Sequence, residues 1–150
     1  MADFRVYFDS GLLVKLYHLE AGSQEVARRA RAEPRLPLTA LAGIETRNAL
    51  RVLAGRKVIR PAQLEAALAM FDDDLAGGRL SRLQPDAGAV QDMAENLSAR
   101  HAADTKCRTL DLLHVAMACV AGIPNFLTGD RRQADLARAA GLRTRLLTFR

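Results

Sequence analysis

A chain of 150 residues with a formal charge of +5 has the length of one domain, residues 1–150, and is basic enough to meet a polyanion such as nucleic acid. Apolar residues make up 49% and charged residues 26%, as in an ordinary soluble globular protein, and two cysteines exclude a disulfide framework. Asp3 and Arg5 precede the first apolar run, which argues against a signal segment, and the longest apolar run, Leu112 to Ile123, holds His114 and is too short to span a membrane. A reducing cytoplasm is the expected home, with Cys119 acting as a small hydrophobe.

Short apolar runs alternate with helical patterns along the chain. The first strand is expected at Arg5 to Phe8, followed by a helix capped by Asp9 or Ser10 with Leu12, Leu13, Leu16 and Tyr17 on one face. A short helix from about Ser23 to Ala32 leads to a strand at Leu36 to Leu38, where Pro34 and Pro37 favour an edge or a strand start. Thr39 caps a helix through about Arg56, and Pro61 suits the first turn of another that ends near Gly77-Gly78. Leu80 to Leu83 reads as a third strand. Asp86 caps a helix to about His101, and Thr109 caps the apolar helix that ends at Gly122. Asn125 to Thr128 is the fourth strand, Arg131 to Ala140 a helix stopped by Gly141, and Thr144 to Phe149 the last strand. Strands alternating with helices predict an α/β fold with a parallel sheet. Ligands of such sheets bind beyond the carboxyl ends of the strands, where Asp9 and Asp130 fall.

Four carboxylates stand in apolar surroundings. Asp9 ends Val6-Tyr7-Phe8, and Asp130 follows Phe126-Leu127-Thr128-Gly129; each also reads as a helix cap. Glu45 shares a helical face with Leu41, Ile44 and Val52, and the nearby Arg47 and Arg51 lie at the wrong offsets for a same-face pair. Asp111 opens a stretch that is apolar nearly all round, so burial is expected for it, with stabilisation of the helix N-terminus as the simpler reading. His114, one turn on, reads as a satisfied core histidine before a ligand, with orientation of Asp111 as its other role. Asp72-Asp73-Asp74 reads as a solvated face. Carboxylates gathered in apolar surroundings call for a cation, and oxygen donors suit a hard divalent one. Arginines at 28, 29, 31, 35, 47, 51, 56 and 60 supply the basic excess.

These motifs resemble those of PIN-domain proteins. The opening Val6-Tyr7-Phe8-Asp9-Ser10-Gly11-Leu12-Leu13, the run Ile44-Glu45-Thr46-Arg47-Asn48, the stretch Arg108-Thr109-Leu110-Asp111-Leu112-Leu113-His114, and Phe126-Leu127-Thr128-Gly129-Asp130 with Ala139-Ala140-Gly141-Leu142 follow in the family's order over nearly the whole chain. The similarity is greatest to the VapC-like toxins of bacterial toxin–antitoxin pairs. Gly11 stands where another small or alkyl residue is usual, and Lys106-Cys107 where glycine is often seen.

The resemblance implies a single PIN-like domain, three layers α/β/α around a central parallel sheet of about five strands. It implies an endoribonuclease using Mg²⁺ or Mn²⁺, with Asp9, Asp111 and Asp130 as ligands and Glu45 as ligand or positioner of the attacking water. Ser10 and Thr128 would hydrogen-bond the carboxylates or a bound water. The implied partners are RNA, a small VapB-like antitoxin and a second copy in a homodimer, its interface on the first helices and on Pro61–Leu75. A PIN-like domain that binds RNA or protein without cutting is the alternative. Haloacid-dehalogenase-like phosphatases need an Asp where Gly11 stands, and response-regulator receivers need an acidic pair after the first strand and a late Lys that are missing.

Overall fold

The computed structural model describes residues 4–149. Its elements in chain order are β1 (Val6–Phe8), α1 (Ser10–Val14), α2 (Ser23–Arg31), β2 (Leu36–Leu38), α3 (Ala40–Gly55), α4 (Pro61–Ala76), β3 (Leu80–Arg82), α5 (Ala87–Thr105), α6 (Thr109–Val120), β4 (Asn125–Thr128), α7 (Arg131–Ala139) and β5 (Arg143–Leu146). They form two compact units. The first takes the chain up to Asp9 together with Gln84–Thr148, the second Ser10–Leu83 with Phe149.

In the first unit three parallel strands lie in the order β1-β4-β5. β4 is central, and Phe126, Leu127 and Thr128 are buried, the continuous burial expected of an inner parallel strand. β5 is an edge strand whose Arg143 and Arg145 are exposed, a charge pattern that discourages further pairing. Tyr7 pairs with Phe126 in register, and their rings stack 5.3 Å apart. α5, α6 and α7 pack on one another, with Val115, Ala116, Ala118, Ala134, Leu136 and Ala137 fully buried. Asp86 caps α5 by accepting from the Ala89 N–H at 2.9 Å, as expected. The helix runs four residues past His101 and stops at Lys106, whose φ of 56° is left-handed. The glycine position noted in the motif is thus a real backbone demand that lysine meets under strain. α6 begins one residue earlier than expected, with Arg108 rather than Thr109 at the cap position. Gly141, with φ 92°, ends α7 as its sequence position indicates.

In the second unit β2 and β3 form a separate parallel pair, Leu36 against Leu80 and Leu38 against Arg82. The expected central sheet of about five strands is therefore not formed as one sheet: five strands exist, divided three and two. Part of the reason is in β2. Leu36 donates to Arg79 and Leu38 accepts from Leu83, so both bond toward β3, and the residue between them that would bond on the other side is Pro37, which has no N–H to give. Thr39 caps α3 by accepting from the Ala42 N–H at 3.1 Å, and Pro61 starts α4. Arg79 ties β3 to the end of α2 by donating to the carbonyls of Glu33, at 2.7 Å, and Ala30. Gly22 precedes α2 at φ 91°, with the Phe149 ring in the space a Cβ would need. Leu12, Leu13, Val26, Leu36, Leu50, Phe71 and Leu80 are buried, while Leu19, Ile44, Val58 and Met70 remain exposed. Among the described residues no helix is long and apolar enough to cross a membrane.

Candidate active site

The register of β1 against β4 decides what surrounds Asp9. Phe8 pairs with Leu127, so the next residues, Asp9 and Thr128, face each other, and Asp9 still donates its N–H to Leu127 O at 3.0 Å. Side chains alternate along a strand, which puts Asp9 and Thr128 on the same sheet face as Tyr7 and Phe126. Asp9 is 6% exposed. A carboxylate there needs hydrogen-bond donors, and its Oδ2 accepts from the Thr128 hydroxyl and from the Gly129 N–H at 3.3 Å.

Thr128 joins the two strand-end aspartates. Its oxygen accepts from the Asp130 N–H at 3.0 Å and lies 2.8 Å from the Gln133 side-chain amide. A hydroxyl has one proton, and with that proton on Asp9, Gln133 must meet Thr128 as a donor through its NH₂ group. A half-turn of the terminal amide, which exchanges its O and N, satisfies all the contacts. Gln133 is buried and was not among the expected site residues. Its signal in the sequence is the Asp130-x-x-Gln133 spacing of a capping box, here turned toward Thr128. Asp130 itself is exposed and caps α7, its Oδ1 accepting from the Gln133 N–H at 3.1 Å.

Asp111 is half-buried rather than buried, because it sits in the first turn of α6, where the helix has no preceding turn to cover it. Its Oδ2 accepts from the Arg108 N–H at 2.9 Å, the helix-terminus role of the simpler reading. His114 is 2% exposed, and its Nδ1 is 2.7 Å from the Tyr7 hydroxyl, which makes it a satisfied core histidine. That bond also orders the site. Only four residues separate α6 from β4, so the helix runs back against the strands. Moving from His114 to Asp111 and from Tyr7 to Asp9 therefore leads toward the same end of the sheet.

Glu45 belongs to α3 of the second unit and is half-buried; its neighbour Ile44, expected on a covered face, is 65% exposed. Ser10 opens α1 in that unit. Cys107 and Cys119 are free, and burial pushes the Cys119 thiol up, away from the thiolate a soft metal would need.

No family model and no curated protein matches the chain. Solved structures do. PAE2754 from Pyrobaculum aerophilum is similar at a TM-score of 0.62 over 94% of this chain and 89% of its own, with 17% sequence identity. FitAcB from Neisseria gonorrhoeae is similar at a TM-score of 0.62 over 93% of this chain and 95% of its own, with 13% identity. The fold is PIN-like. At these identities the likeness is one of fold.

Within this PIN-like fold, no three His, Cys, Asp or Glu side chains among the described residues are gathered closely enough to hold a metal ion. The donor chemistry nonetheless fits Mg²⁺ or Mn²⁺, which take oxygen ligands and are commonly held by one or two carboxylates with water filling the remaining positions. Asp111 and Asp130 each commit one named oxygen to their own helix, and a carboxylate has a second. Capping and ligation are thus compatible.

Proposed function

We propose that the chain is a metal-dependent endoribonuclease that hydrolyses RNA phosphodiester bonds, and the toxin of a VapBC-type toxin–antitoxin pair acting as one domain in the cytoplasm. The observation that carries this reading is the buried Asp9 at the end of β1, linked through Thr128 to Asp130 at the end of the neighbouring β4. Asp9, Asp111 and Asp130 are the carboxylates proposed for Mg²⁺ or Mn²⁺, one or two of them on an ion with water filling the remaining positions. Glu45, as a further ligand or positioner of water, enters from its motif alone. When bound, the ion acidifies a water and offsets charge on the phosphate.

The chain's own residues prepare that chemistry. Thr128 holds one oxygen of Asp9, and backbone N–H groups of Arg108 and Gln133 hold one oxygen each of Asp111 and Asp130. Each bond narrows the carboxylate's rotamers before any ligand arrives. The Tyr7–His114 bond fixes the turn that carries Asp111. Ser10, next to Asp9, is a further hydroxyl for this site. Hydrolysis joins a water oxygen to phosphorus and breaks the P–O3′ bond, leaving a 5′-phosphate and a 3′-hydroxyl.

A small VapB-like antitoxin is the proposed protein partner and a homodimer the proposed assembly; exposed Leu19, Val58 and Met70 supply apolar surface for such contacts. The second reading, a PIN-like domain that binds RNA or protein without cutting, is favoured by the spacing of the carboxylates, which form no threefold group among the described residues. Cleavage of structured RNA by pure protein with Mn²⁺ separates the two. The parent should cut, and Asp9→Asn and Asp111→Asn should each lower the rate at least a hundredfold, roughly the loss of one transition-state stabilising group. Equal cutting by parent and variants would sink the nuclease reading.

A further inference from the structure

An RNA cleaved beside Asp9, Asp111 and Asp130 brings phosphates toward carboxylates, and like charges repel. Cations close to those carboxylates must offset the repulsion. At physiological salt, charges more than about 8 Å away are largely screened, so distant arginines cannot do this. The sequence draws attention to the eight arginines of residues 28–60, yet three of them are paired within the second unit. Arg28 and Arg29 pair with Glu25 at 2.8 Å, and Arg47 with Asp72 at 3.0 Å.

The first unit has a different set. Lys106 and Arg108 lead into α6, three residues and one residue before Thr109, and Asp111 follows within the first turn. Arg131 and Arg132 directly follow Asp130 in the first turn of α7. All four are exposed, and the ion pairs among the described residues include none of them. Both helices run back against the strands that follow or precede them, so both N-termini lie toward the carboxyl end of the β1-β4-β5 sheet. The N-terminal ends of the helices add their own partial positive charge there.

We infer that Lys106, Arg108, Arg131 and Arg132 form a track for the sugar-phosphate backbone of single-stranded RNA, flanking the carboxylates from α6 and α7. This rests on the nuclease reading for its biological meaning but not for its test. Backbone binding by exposed cations carries affinity without base selection, so the track predicts salt-sensitive binding that is tolerant of sequence.

The test is fluorescence anisotropy of a short labelled single-stranded RNA of mixed sequence, in EDTA so that nothing is cut, over a series of KCl concentrations. Replacing all four cations by glutamine should reduce the steepness of log K against log salt by about 0.7 for each phosphate no longer neutralised, up to about 2.8. A matched variant, Arg31→Gln with Arg51→Gln, Arg56→Gln and Arg60→Gln, should leave the slope unchanged. An unchanged slope in the fourfold variant, a greater reduction in the matched variant, or no salt-dependent binding by the parent would each overturn the proposal. A reduced slope together with no RNA cleavage by the parent in Mn²⁺ would remove the nuclease reading and keep the track.

Discussion

Thr128 uses every hydrogen-bonding position it has. It gives its proton to Asp9 and accepts from Asp130 and Gln133, all at a fully buried site. Leaving a buried charged acceptor short of a donor costs about 1–3 kcal/mol or more, whereas the hydroxyl-to-methyl exchange itself keeps the volume. Thr128→Val should therefore lose about 1–3 kcal/mol in urea unfolding of metal-free protein. Gln133→Leu should cost less, and in the Thr128→Val background its effect should shrink, because the group it acts on is gone. Additive losses would mean that Gln133 does not act through Thr128. Asp111 and Asp130 illustrate the same economy differently: Asp130 caps α7 and Asp111 accepts from the cap residue of α6, each with an oxygen to spare, so the structural role is compatible with the proposed one.

At the scale of elements, α3, α4 and the turn after α1 form a polar-aromatic corner in the second unit. Tyr17 donates to Asp74 Oδ2 at 2.7 Å and sets its ring edge-on to Phe71 at 5.3 Å. Arg47 lies 4.5 Å over the same Phe71 ring and reaches Asp72. The Asp72-Asp73-Asp74 run is thus only partly the solvated face its sequence suggests: Asp72 and Asp73 are exposed, but Asp74 is half-buried and bonded. Burial, and then the hydrogen bond and charge of Asp74, push the Tyr17 phenol well above its ordinary range. The folded group holds its proton more tightly than the unfolded one, so its contribution is whole below the unfolded value of about 10 and is lost as pH rises above it. Stability measured by urea unfolding should fall from about pH 10 upward, and Tyr17→Phe should flatten that fall while costing about 1 kcal/mol at neutral pH. A Tyr17→Phe protein with the parent's alkaline slope would assign the loss to other groups.

At the scale of the molecule, local chemistry was the legible part. Thr39, Asp86 and Asp130 announce their helices, Pro61 and Gly141 mark a start and a stop, and the strands at residues 36–38 and 125–128 fall where apolar runs place them. What residues of one segment cannot carry is which segment they meet. Three-residue strands hold too little pattern to say that β2 and β3 pair with each other in a separate sheet. The exposure of Ile44 depends on what lies against α3, which its periodicity does not encode. Asp9 and Asp130 were legible as strand-end carboxylates, but the Thr128–Gln133 link between them needed the register of β1 on β4. Asp111 was expected to be buried because its helix is apolar, although a first-turn position leaves it half open.

The divalent-metal role proposed for these carboxylates is tested most directly by diffraction from crystals soaked in Mn²⁺ and recorded at the manganese absorption edge. The expected result is an anomalous peak about 2.1 Å from an Asp9 carboxylate oxygen, with Asp111 or Asp130 completing the protein ligands and water the rest. Saturating Mn²⁺ with no anomalous peak at Asp9 would contradict it.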